Sequence, residues 1–514
     1  MKVKFSWMYL AALVAAFTWT SCEKEDPVAP AVGITEIKVT PEGSAVSYTA
    51  AINGYDAVVA VPVDMLDAAL AAATIEATPT MGSEVLYNNE TIGAGVVVDL
   101  TSPVTLIAKG TDGKTVAYTV TVTRASAADG NMLVKSSKFI GFPAGLIDYD
   151  VTYFNNKFYA ITTAVSGTGT EEDPMVEYYQ LFSSTDGINW SEVKYNASTE
   201  GVVLPEGQDG YVIGGEGARL AVHNGRMYVL GGARTKGADI YGNEAELGDG
   251  WFGPSPEIRA WRSFSTTDGV NFECDTVATT YAYTDYTGAN VEIPTSESAS
   301  ILASAHMNVV SFNGKLFMQG GYIASFGMWQ LARRYEMSTD GKNWEAVNVA
   351  STNEEHTADV DMRAANALFV FNNKMWCVGG YKNFLSSSQM QTSVWSSEDG
   401  ENWTMEADST KGFVSLCDMK VLATDEAVFL FGGCGYDEQG LSLSNKIYRS
   451  TDCINWEEVE APETFTARRH IAGVAQGNSA WLFGGITTPS GDTYGYPITD
   501  TDAFATDTWV RLMK

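Results

Sequence analysis

A repeated four-strand unit occupies residues 131–514 and recurs about six times. In most copies an apolar segment ends in a pair of glycines, and an aromatic segment further on leads into a turn of the general form Asp-Gly-x-Asn-Trp. A fixed self-similar period of this length is typical of arrays in which each unit buries its faces against its neighbours. The glycine pairs lie at 231–232, 320–321, 379–380, 432–433 and 484–485, and the turns begin at residues 185, 267, 339, 398 and 451.

The repeat predicts an all-β fold in which a six-bladed propeller follows a smaller N-terminal domain. Four strands per repeat suit a radial array, because each blade buries its faces against the next. The last repeat runs to Leu512, and its Trp509 aligns with third-strand aromatics, so we expect this blade to lack a fourth strand of its own. Residues 132–139 precede the first repeat and have no other place in it. We expect this segment to pair beside residues 508–513 and close the ring.

The sixth repeat contains residues 467–471, Ala-Arg-Arg-His-Ile, followed by residues 480–485, Ala-Trp-Leu-Phe-Gly-Gly. This combination is very similar to a blade of the kelch family, and kelch-like motifs cover roughly residues 145 to 511. The first blade departs from the pattern, since Thr162 and Thr163 stand where the glycine pair belongs. The whole layout also resembles kelch-propeller lipoproteins of Bacteroidota.

The segment from residue 33 to 126 has a different sequence pattern, with short runs that alternate apolar and polar residues. An Asp-Gly turn at residues 112–113 joins two of these runs, which is a strong hairpin signal. Several such strands predict a β-sandwich. The last hairpin resembles those of cadherin-like and immunoglobulin-like modules of bacterial surface proteins. Residues 23–32 are interpreted as a linker to this domain.

The first 22 residues have the pattern of a secretory signal: Lys2 and Lys4, then an apolar run that ends near Phe17, then small residues before Cys22. A cysteine at this position resembles a bacterial lipobox, which implies that Cys22 is lipidated and becomes the first residue. The acidic stretch 23–26 resembles the surface-export signal of Bacteroidota lipoproteins. We therefore expect an outer-membrane lipoprotein exposed at the cell surface, with a periplasm-facing lipoprotein as the alternative.

Charge and histidine content exclude several kinds of partner. A formal net charge of -31 repels nucleic-acid phosphates and anionic lipid head groups. The four histidines show no His-x-x-x-His spacing and the cysteines no Cys-x-x-Cys spacing, so we expect no structural zinc, no other metal and no cofactor. His306 and His470 occupy equivalent positions of blades that face each other across the ring, so we do not expect them to converge on one metal.

The long loops lie on one face of the propeller, where rigid scaffolds commonly place binding residues. Loops of blades two and three carry Trp251 and Trp329, and polar residues including Asp148 cluster where the first strand of each blade begins. This pattern predicts a pocket at the mouth of the central channel, although these groups could instead satisfy one another. The candidate ligand-binding residues are Arg219, His306, Arg363, Asp418, Arg469, His470, Trp251 and Trp329.

Three functions fit these features. The first is a non-catalytic surface protein that binds a glycan, another small extracellular ligand or another surface protein. The second is a carbohydrate-active enzyme, either similar to sialic-acid mutarotase, which is also a kelch propeller, or a glycosidase. A sialidase would fit the three arginines, but its usual Arg-Ile-Pro is absent. The third is an adhesin that binds protein through the sandwich.

The Asp-Gly turns resemble sialidase Asp-boxes but are one residue shorter, and we interpret them as structural turns.

Two cysteines of the fifth blade are predicted to be cross-strand neighbours. Antiparallel pairing about the turn at residues 424–427 places Cys417 opposite Cys434. Directly opposed Cα atoms lie about 4.5–5.5 Å apart, within reach of a disulfide, and an exported protein meets an oxidising environment. We therefore predict a Cys417–Cys434 disulfide, and we expect Cys274, Cys377 and Cys453 to be unpaired.

Overall fold

The fold is known from a computed structural model, and the described residues form two compact units that are almost entirely β. The described parts of Met1–Ala60 and Ala71–Thr123 make the first unit, and those of Val61–Leu70 and Arg124–Lys514 make the second. Residues 61–70 thus group with the second unit, although they lie inside the range 33–126 predicted for the N-terminal domain. The described residues are 32–44, 46–63, 65–124, 132–167, 176–198, 213–232, 249–250, 253–254, 263–275, 281–284, 290–293, 305–325, 328–332, 335–353, 355–383, 385–413, 415–437, 440–488 and 504–513.

The first unit is a sandwich of two antiparallel sheets. Strand residues alternate between buried and exposed in Val104–Gly110 and Asp56–Val61, as expected when one face of each sheet covers a core. The backbone N–H of Ile34 in one sheet donates to Tyr118 Oη of the other at 3.2 Å. One sheet has the strand order Tyr48–Thr49, Ile34–Thr40, Ala73–Pro79, Val96–Val98, and the other Ala51–Asn53, Asp56–Val61, Thr115–Arg124, Val104–Gly110, Ser83–Tyr87, Glu90–Thr91.

The hairpin predicted from the Asp-Gly turn is present in the first unit. Thr115 pairs with Lys109 and Val120 with Val104. Asp112 Oδ1 accepts the backbone N–H of Lys114 at 3.0 Å, which is the local hydrogen bond that favours Asp in turns. The described helices are the short α-helix Asp67–Ala71 and the 3-10 turn Val360–Met362. Neither is long and apolar enough to cross a membrane.

Six sheets of the second unit are the blades of the propeller, and each has four antiparallel strands counted from the channel outward. From blade one to blade six the strands are Leu146–Phe154, Lys157–Ser166, Val176–Ser184, Ser191–Glu192; Arg219–His223, Arg226–Leu230, Ser263–Thr266, Asn271–Asp275; Asn308–Phe312, Lys315–Gln319, Tyr335–Ser338, Glu345–Ala346; Ala367–Phe371, Lys374–Val378, Val394–Ser397, Asn402–Ala407; Lys420–Ala423, Val428–Phe431, Ile447–Ser450, Glu457–Val459; and Ala472–Gln476, Ser479–Ile486, Phe504–Leu512, Met132–Ser136.

The ring is closed by strands from the two ends of the propeller sequence. Strand Met132–Ser136 pairs antiparallel with Phe504–Leu512, with Leu133 opposite Val510 and Val134 opposite Trp509. The first strands of successive blades are neighbours all the way round, and that of blade six lies beside that of blade one. The six-bladed propeller and its closure by residues 132–136 are therefore confirmed.

Short additional strands extend the blades and the loops. Asn196–Ser198 and Ala350–Ser351 pair in parallel with the outer strands of blades two and four. Four loop hairpins follow second or fourth strands of the blades, on the face that the sequence predicts to carry long loops. They are Asp249–Gly250 with Gly253–Pro254, Tyr281–Thr284 with Asn290–Ile293, Tyr322–Ser325 with Met328–Leu331, and Cys434–Asp437 with Gly440–Leu443.

The Asp-Gly turns hold the blades together and satisfy their own polar groups. In blade four, Asp399 Oδ1 accepts the backbone N–H of Glu401 at 2.8 Å and that of Asn402 at 2.7 Å. Trp403 is fully buried and its indole N–H donates to Gly400 O at 3.1 Å. With its carboxylate and indole engaged locally, this turn has the structural geometry that the sequence interpretation gave it.

Candidate functional site

The first strands of the six blades surround a cavity of about 280 Å³ at the centre of the propeller. Its wall begins at the residues that precede each first strand and continues into the strands themselves. Polar and charged side chains dominate one part of the wall, and aliphatic side chains such as Leu220, Leu368 and Val474 complete it. The charged and polar lining residues that matter below are Asp150, Arg219, His306, Asn308, Asn366, Asp418, Lys420 and His470.

A left-handed backbone turn brings side chains into this mouth. His306, Asp418 and His470 have φ values of 57°, 53° and 54°, and each lies just before or at the start of its blade's first strand. The N–H of His306 donates to Gly217 O at 2.8 Å, and the N–H of His470 to Asp418 O at 3.0 Å, so neighbouring blades fix each other's turns. Non-glycine residues in this region are strained by about 1–3 kcal/mol and cluster at functional sites.

His470 bridges two carboxylates across the mouth. Its Nε2 lies 3.0 Å from Asp148 Oδ1 and its Nδ1 3.1 Å from Asp418 Oδ1. Since both partners are acceptors, both ring nitrogens donate and the imidazole is protonated. Burial alone would lower the pKa of His470, but Asp418 and Asp148 outweigh it and raise the pKa to about 9.

The two carboxylates are ionised for the same reason. Burial would raise the pKa of Asp148, yet the neighbouring imidazoles and Arg219 hold it well below its usual range. Asp148 Oδ2 also accepts the backbone N–H of Gly217 at 2.6 Å. For Asp418 burial is again the opposing effect, and His470 and Arg469 hold its pKa well below the ordinary value.

His306 faces His470, with ring centroids 5.2 Å apart. The expectation that these two histidines would stay apart across the ring is therefore wrong, because the turns of blades three and six both point into a narrow mouth. Burial is the main cause that lowers the pKa of His306 to about 3, Arg219 adds to it and Asp148 opposes it. The neutral ring accepts from Arg219 Nη2 through Nδ1 at 3.2 Å.

Arg363 does not line the cavity, which corrects its assignment as a ligand-binding residue. Its side chain is fully buried and donates to Asp359 at 2.9 Å and to Ser393 O at 3.0 Å. Arg363 lies two residues before the left-handed residue Ala365, just as Arg468 lies two residues before His470. Because successive side chains point in different directions, this offset turns both arginines away from the mouth.

Arg469 also acts within the protein rather than at the cavity surface. Its Nη1 donates to Asp418 Oδ2 at 3.0 Å, and its side chain is 3% exposed. Of the eight candidate ligand-binding residues, the structure places Arg219, His306, Asp418 and His470 in the cavity wall. Trp251 lies outside the described residues, and Trp329 belongs to strand Met328–Leu331 but its side chain lies outside the description.

Lys420 is a site residue that the sequence interpretation missed. It lines the cavity as the first residue of strand Lys420–Ala423, two residues after the left-handed Asp418. Burial lowers the pKa of Lys420, and the nearby Asp150 opposes that effect. Its place at the start of a first strand, where Arg219 also stands, was the signal that could have identified it.

The two cysteines of blade five lie beside the site and face each other as predicted. Their backbones exchange two N–H···O bonds of 2.8 Å, and both residues are buried. The sulfur atoms are thiols 3.0 Å apart, so the covalent bond itself stays a prediction. Cys377 and Cys453 are buried free thiols.

Asp148, His306 and His470 also form a group that could hold a metal ion, since each offers a donor atom and the three atoms lie within 4.8 Å of one another.

In comparisons with known proteins, residues 208–495 match the family described as the DUF6242 beta propeller domain. The chain has no significant match among the curated proteins.

Proposed function

The chain belongs to the DUF6242 beta propeller family, and from that premise we propose that it is a non-catalytic binding protein whose ligand, a glycan or another small extracellular molecule, is held at the channel mouth. The observation that carries the proposal is the polar cavity of about 280 Å³ formed by all six blades. This volume is close to the lower end of the range of about 300–1,000 Å³ that is common for ligand pockets, so the cavity suits a ligand as small as one sugar unit.

The chemistry of the wall favours a hydroxyl-rich ligand with a negative charge. Asn308 and Asn366 line the wall, and their amides are held by hydrogen bonds to each other, to Gln319 and to Cys377, so they present fixed polar groups to a ligand. Arg219 and Lys420 bring two positive charges to the cavity of a chain whose formal net charge is -31. Within the described part of the chain no carboxylate lies at ion-pair distance from Lys420, so its ammonium can take a ligand carboxylate.

Preorganisation supports binding at this position. The left-handed turns at His306, Asp418 and His470 are fixed by hydrogen bonds between blades, so the mouth does not have to order itself around a ligand. Ordering side chains on binding costs roughly 0.5–1.5 kcal/mol for each one immobilised. A site that is already fixed avoids most of this cost.

The proposal includes the location of the protein in the cell. Lipidation of Cys22 and the acidic stretch 23–26 would anchor the protein in the outer membrane of a bacterium of the Bacteroidota type, facing outward, with the periplasmic face as the alternative. The kelch-like repeat and the cadherin-like or immunoglobulin-like hairpin belong to the same proposal. The N-terminal sandwich would act as a spacer between anchor and propeller.

A glycan array probed with the chain from Glu23 onward tests the proposal, followed by calorimetry with the best neutral and acidic sugars. We expect an acidic sugar to bind, and Lys420→Ala to weaken it at least about tenfold, since one charge-assisted hydrogen bond contributes about 1.5–3 kcal/mol. Lys411→Ala is the matched control, because Lys411 is exposed and outside the cavity. Equal binding by both variants would show that the ligand lies elsewhere.

The same samples separate binding from catalysis. Proton NMR of the bound sugar would reveal bond cleavage or faster exchange between anomers, which are the marks of the carbohydrate-active alternative. A sugar that binds and remains unchanged supports the binding protein. A chain that binds no sugar at all would leave the charged mouth as a structural network, and the proposal would fail.

A further inference from the structure

We propose that Asp148, His306 and His470 form a binding site for a divalent transition-metal cation of the zinc class at the mouth of the channel. This inference goes beyond glycan binding, and it is tested with the metal alone, so either proposal can fail without the other. It contradicts the expectation from the sequence that the chain holds no metal.

The donor atoms already have nearly the right separation. Asp148 Oδ1 lies 3.0 Å from His470 Nε2 and 4.0 Å from His306 Nδ1, and the group of three atoms fits within 4.8 Å. Tetrahedral zinc binds nitrogen and oxygen at about 2.0–2.2 Å, which separates neighbouring donors by roughly 3.4 Å. A cation between these atoms would replace the proton that His470 shares with Asp148.

Each imidazole has a carboxylate behind the nitrogen that faces away from Asp148. His470 Nδ1 lies 3.1 Å from Asp418 Oδ1, and His306 Nε2 lies 3.9 Å from Glu216 Oε1. In metal proteins the other ring N–H of a ligating histidine almost always donates to a carboxylate, carbonyl or water, which fixes its tautomer and orientation. Asp418 and Glu216 are in the positions of such second partners.

His306 Nε2 is a buried atom without a hydrogen bond in the described part of the chain, and it faces Glu216 rather than Asp148. The side chain is 3% exposed. Buried polar atoms are nearly always paired, so an Nε2 without a partner indicates that this ring can gain a hydrogen bond by moving. Ligation through Nδ1 would fix the Nε2–H tautomer and draw this group towards Glu216.

The donor set and its surroundings indicate the class of cation. Two imidazoles and one carboxylate suit zinc, cobalt, nickel or copper, whereas calcium and magnesium prefer oxygen ligands alone. His306 and His470 both line the cavity, so a fourth coordination position would face it. Water or an oxygen atom of a ligand could fill that position.

Arg219 is the group that opposes a cation here. Its Nη2 lies 3.2 Å from His306 Nδ1 and its Nη1 4.0 Å from Asp148 Oδ2, so its positive charge occupies the neighbouring space. The side chain is 16% exposed and lines the cavity, which gives it room to turn aside. Removal of this competing charge should therefore strengthen cation binding.

The test uses the chain from Glu23 onward, stripped with a chelator and titrated with Zn²⁺ by calorimetry and with Co²⁺ by visible absorption. We expect one cation per chain and the intense d–d bands of low-coordinate Co²⁺. His306→Gln and His470→Gln should each abolish the bands, and Asp418→Asn should weaken binding about 10–100-fold, as for other second partners. His356→Gln is the control, because His356 is exposed and distant in sequence from these groups.

The variant Arg219→Ala is the control for misfolding, which could also explain a loss of binding in the other variants. It should tighten Zn²⁺ binding on the order of tenfold, the size of a partly screened charge repulsion, and a damaged protein would not gain affinity. Absence of binding to the wild-type chain would overturn the proposal. So would retention of the Co²⁺ bands in both histidine variants, or their loss in His356→Gln.

Discussion

Arg363 shows how one residue of offset decides the role of a side chain. Its guanidinium is buried against Asp359, Ser393 and Gly379, so Arg363→Ala leaves a buried carboxylate with Lys382 as its remaining ionic partner. Removing one partner of a buried ion pair costs about 3–5 kcal/mol. We expect a loss of about 3 kcal/mol in the free energy of unfolding by urea, with sugar binding unchanged.

Arg449→Ala is the control for that measurement, since Arg449 forms an ion pair with Glu457 that is 27% and 64% exposed on its two sides. Exposed pairs contribute about 0–1 kcal/mol. If the two arginine variants lose the same stability, Arg363 does not have the structural role assigned to it.

The cysteine pair gives a second prediction for single residues. Protein exported to an oxidising compartment should yield, without reductant, a peptide pair linked through Cys417 and Cys434, and mass spectrometry should show it disappear on reduction. Their opposed backbones bring the sulfurs to 3.0 Å, and closing a loop of this size stabilises a protein by about 3 kcal/mol. Links through Cys377 or Cys453, or two free thiols in exported protein, would contradict the prediction.

The sequence identified part of the site because polar residues at the starts of inner strands stand out in an apolar repeat. Arg219, His306, Asp418 and His470 were found in this way, and the structure brings all four to the cavity wall. Arg363 was misassigned because no sequence pattern marks which residue of the turn has a positive φ. The pairing of His470 with Asp148 also escaped prediction, because it joins blades one and six at 3.0 Å.

At the scale of elements, the Asp-Gly turn is a packing device between blades. Gly400 has a φ of 84°, and a Cβ placed there would lie 2.4 Å from the ring of Phe317 in the preceding blade. Gly400→Ala therefore combines backbone strain of about 1–2 kcal/mol with overpacking of about 1–3 kcal/mol. We expect it to lower the urea midpoint of the propeller strongly.

Gly225→Ala is the matched comparison, because Gly225 has a φ of 72° and a Cβ placed there would meet open space. It carries the strain without the clash, so its loss should be about 1–2 kcal/mol. Similar losses for the two alanine variants would mean that the turn is not packed against Phe317 as described.

At the scale of the whole molecule, the sequence repeat predicts the architecture, whereas the geometry of the channel mouth depends on closure of the ring. Self-similar strands predict six blades and even the segment that completes the last one. The mouth, in contrast, depends on the diameter of the closed ring, which places the rings of His306 and His470 5.2 Å apart although 163 residues separate them in sequence. Short distances between residues of different blades arise when the ring closes, so no single repeat can predict them.

Closure therefore leads to the prediction that a change in one end strand weakens the entire propeller. Met132 is fully buried in a cluster with Leu482 and Trp509, and its strand pairs with the last strand of the chain. Met132→Ala should cost about 2–5 kcal/mol in the main tryptophan-fluorescence transition, because an open ring exposes two unpaired strand edges.

Val134→Ala tests whether this loss comes from the core of the closing strand, since Val134 is 49% exposed on the same strand. Its cost should be within about 0.5 kcal/mol, as for most surface substitutions. If the strand instead frays independently of the ring, Met132→Ala will leave the main transition where it is in the unaltered chain. That result would show that the buried surfaces between neighbouring blades hold the propeller together without the closing strand.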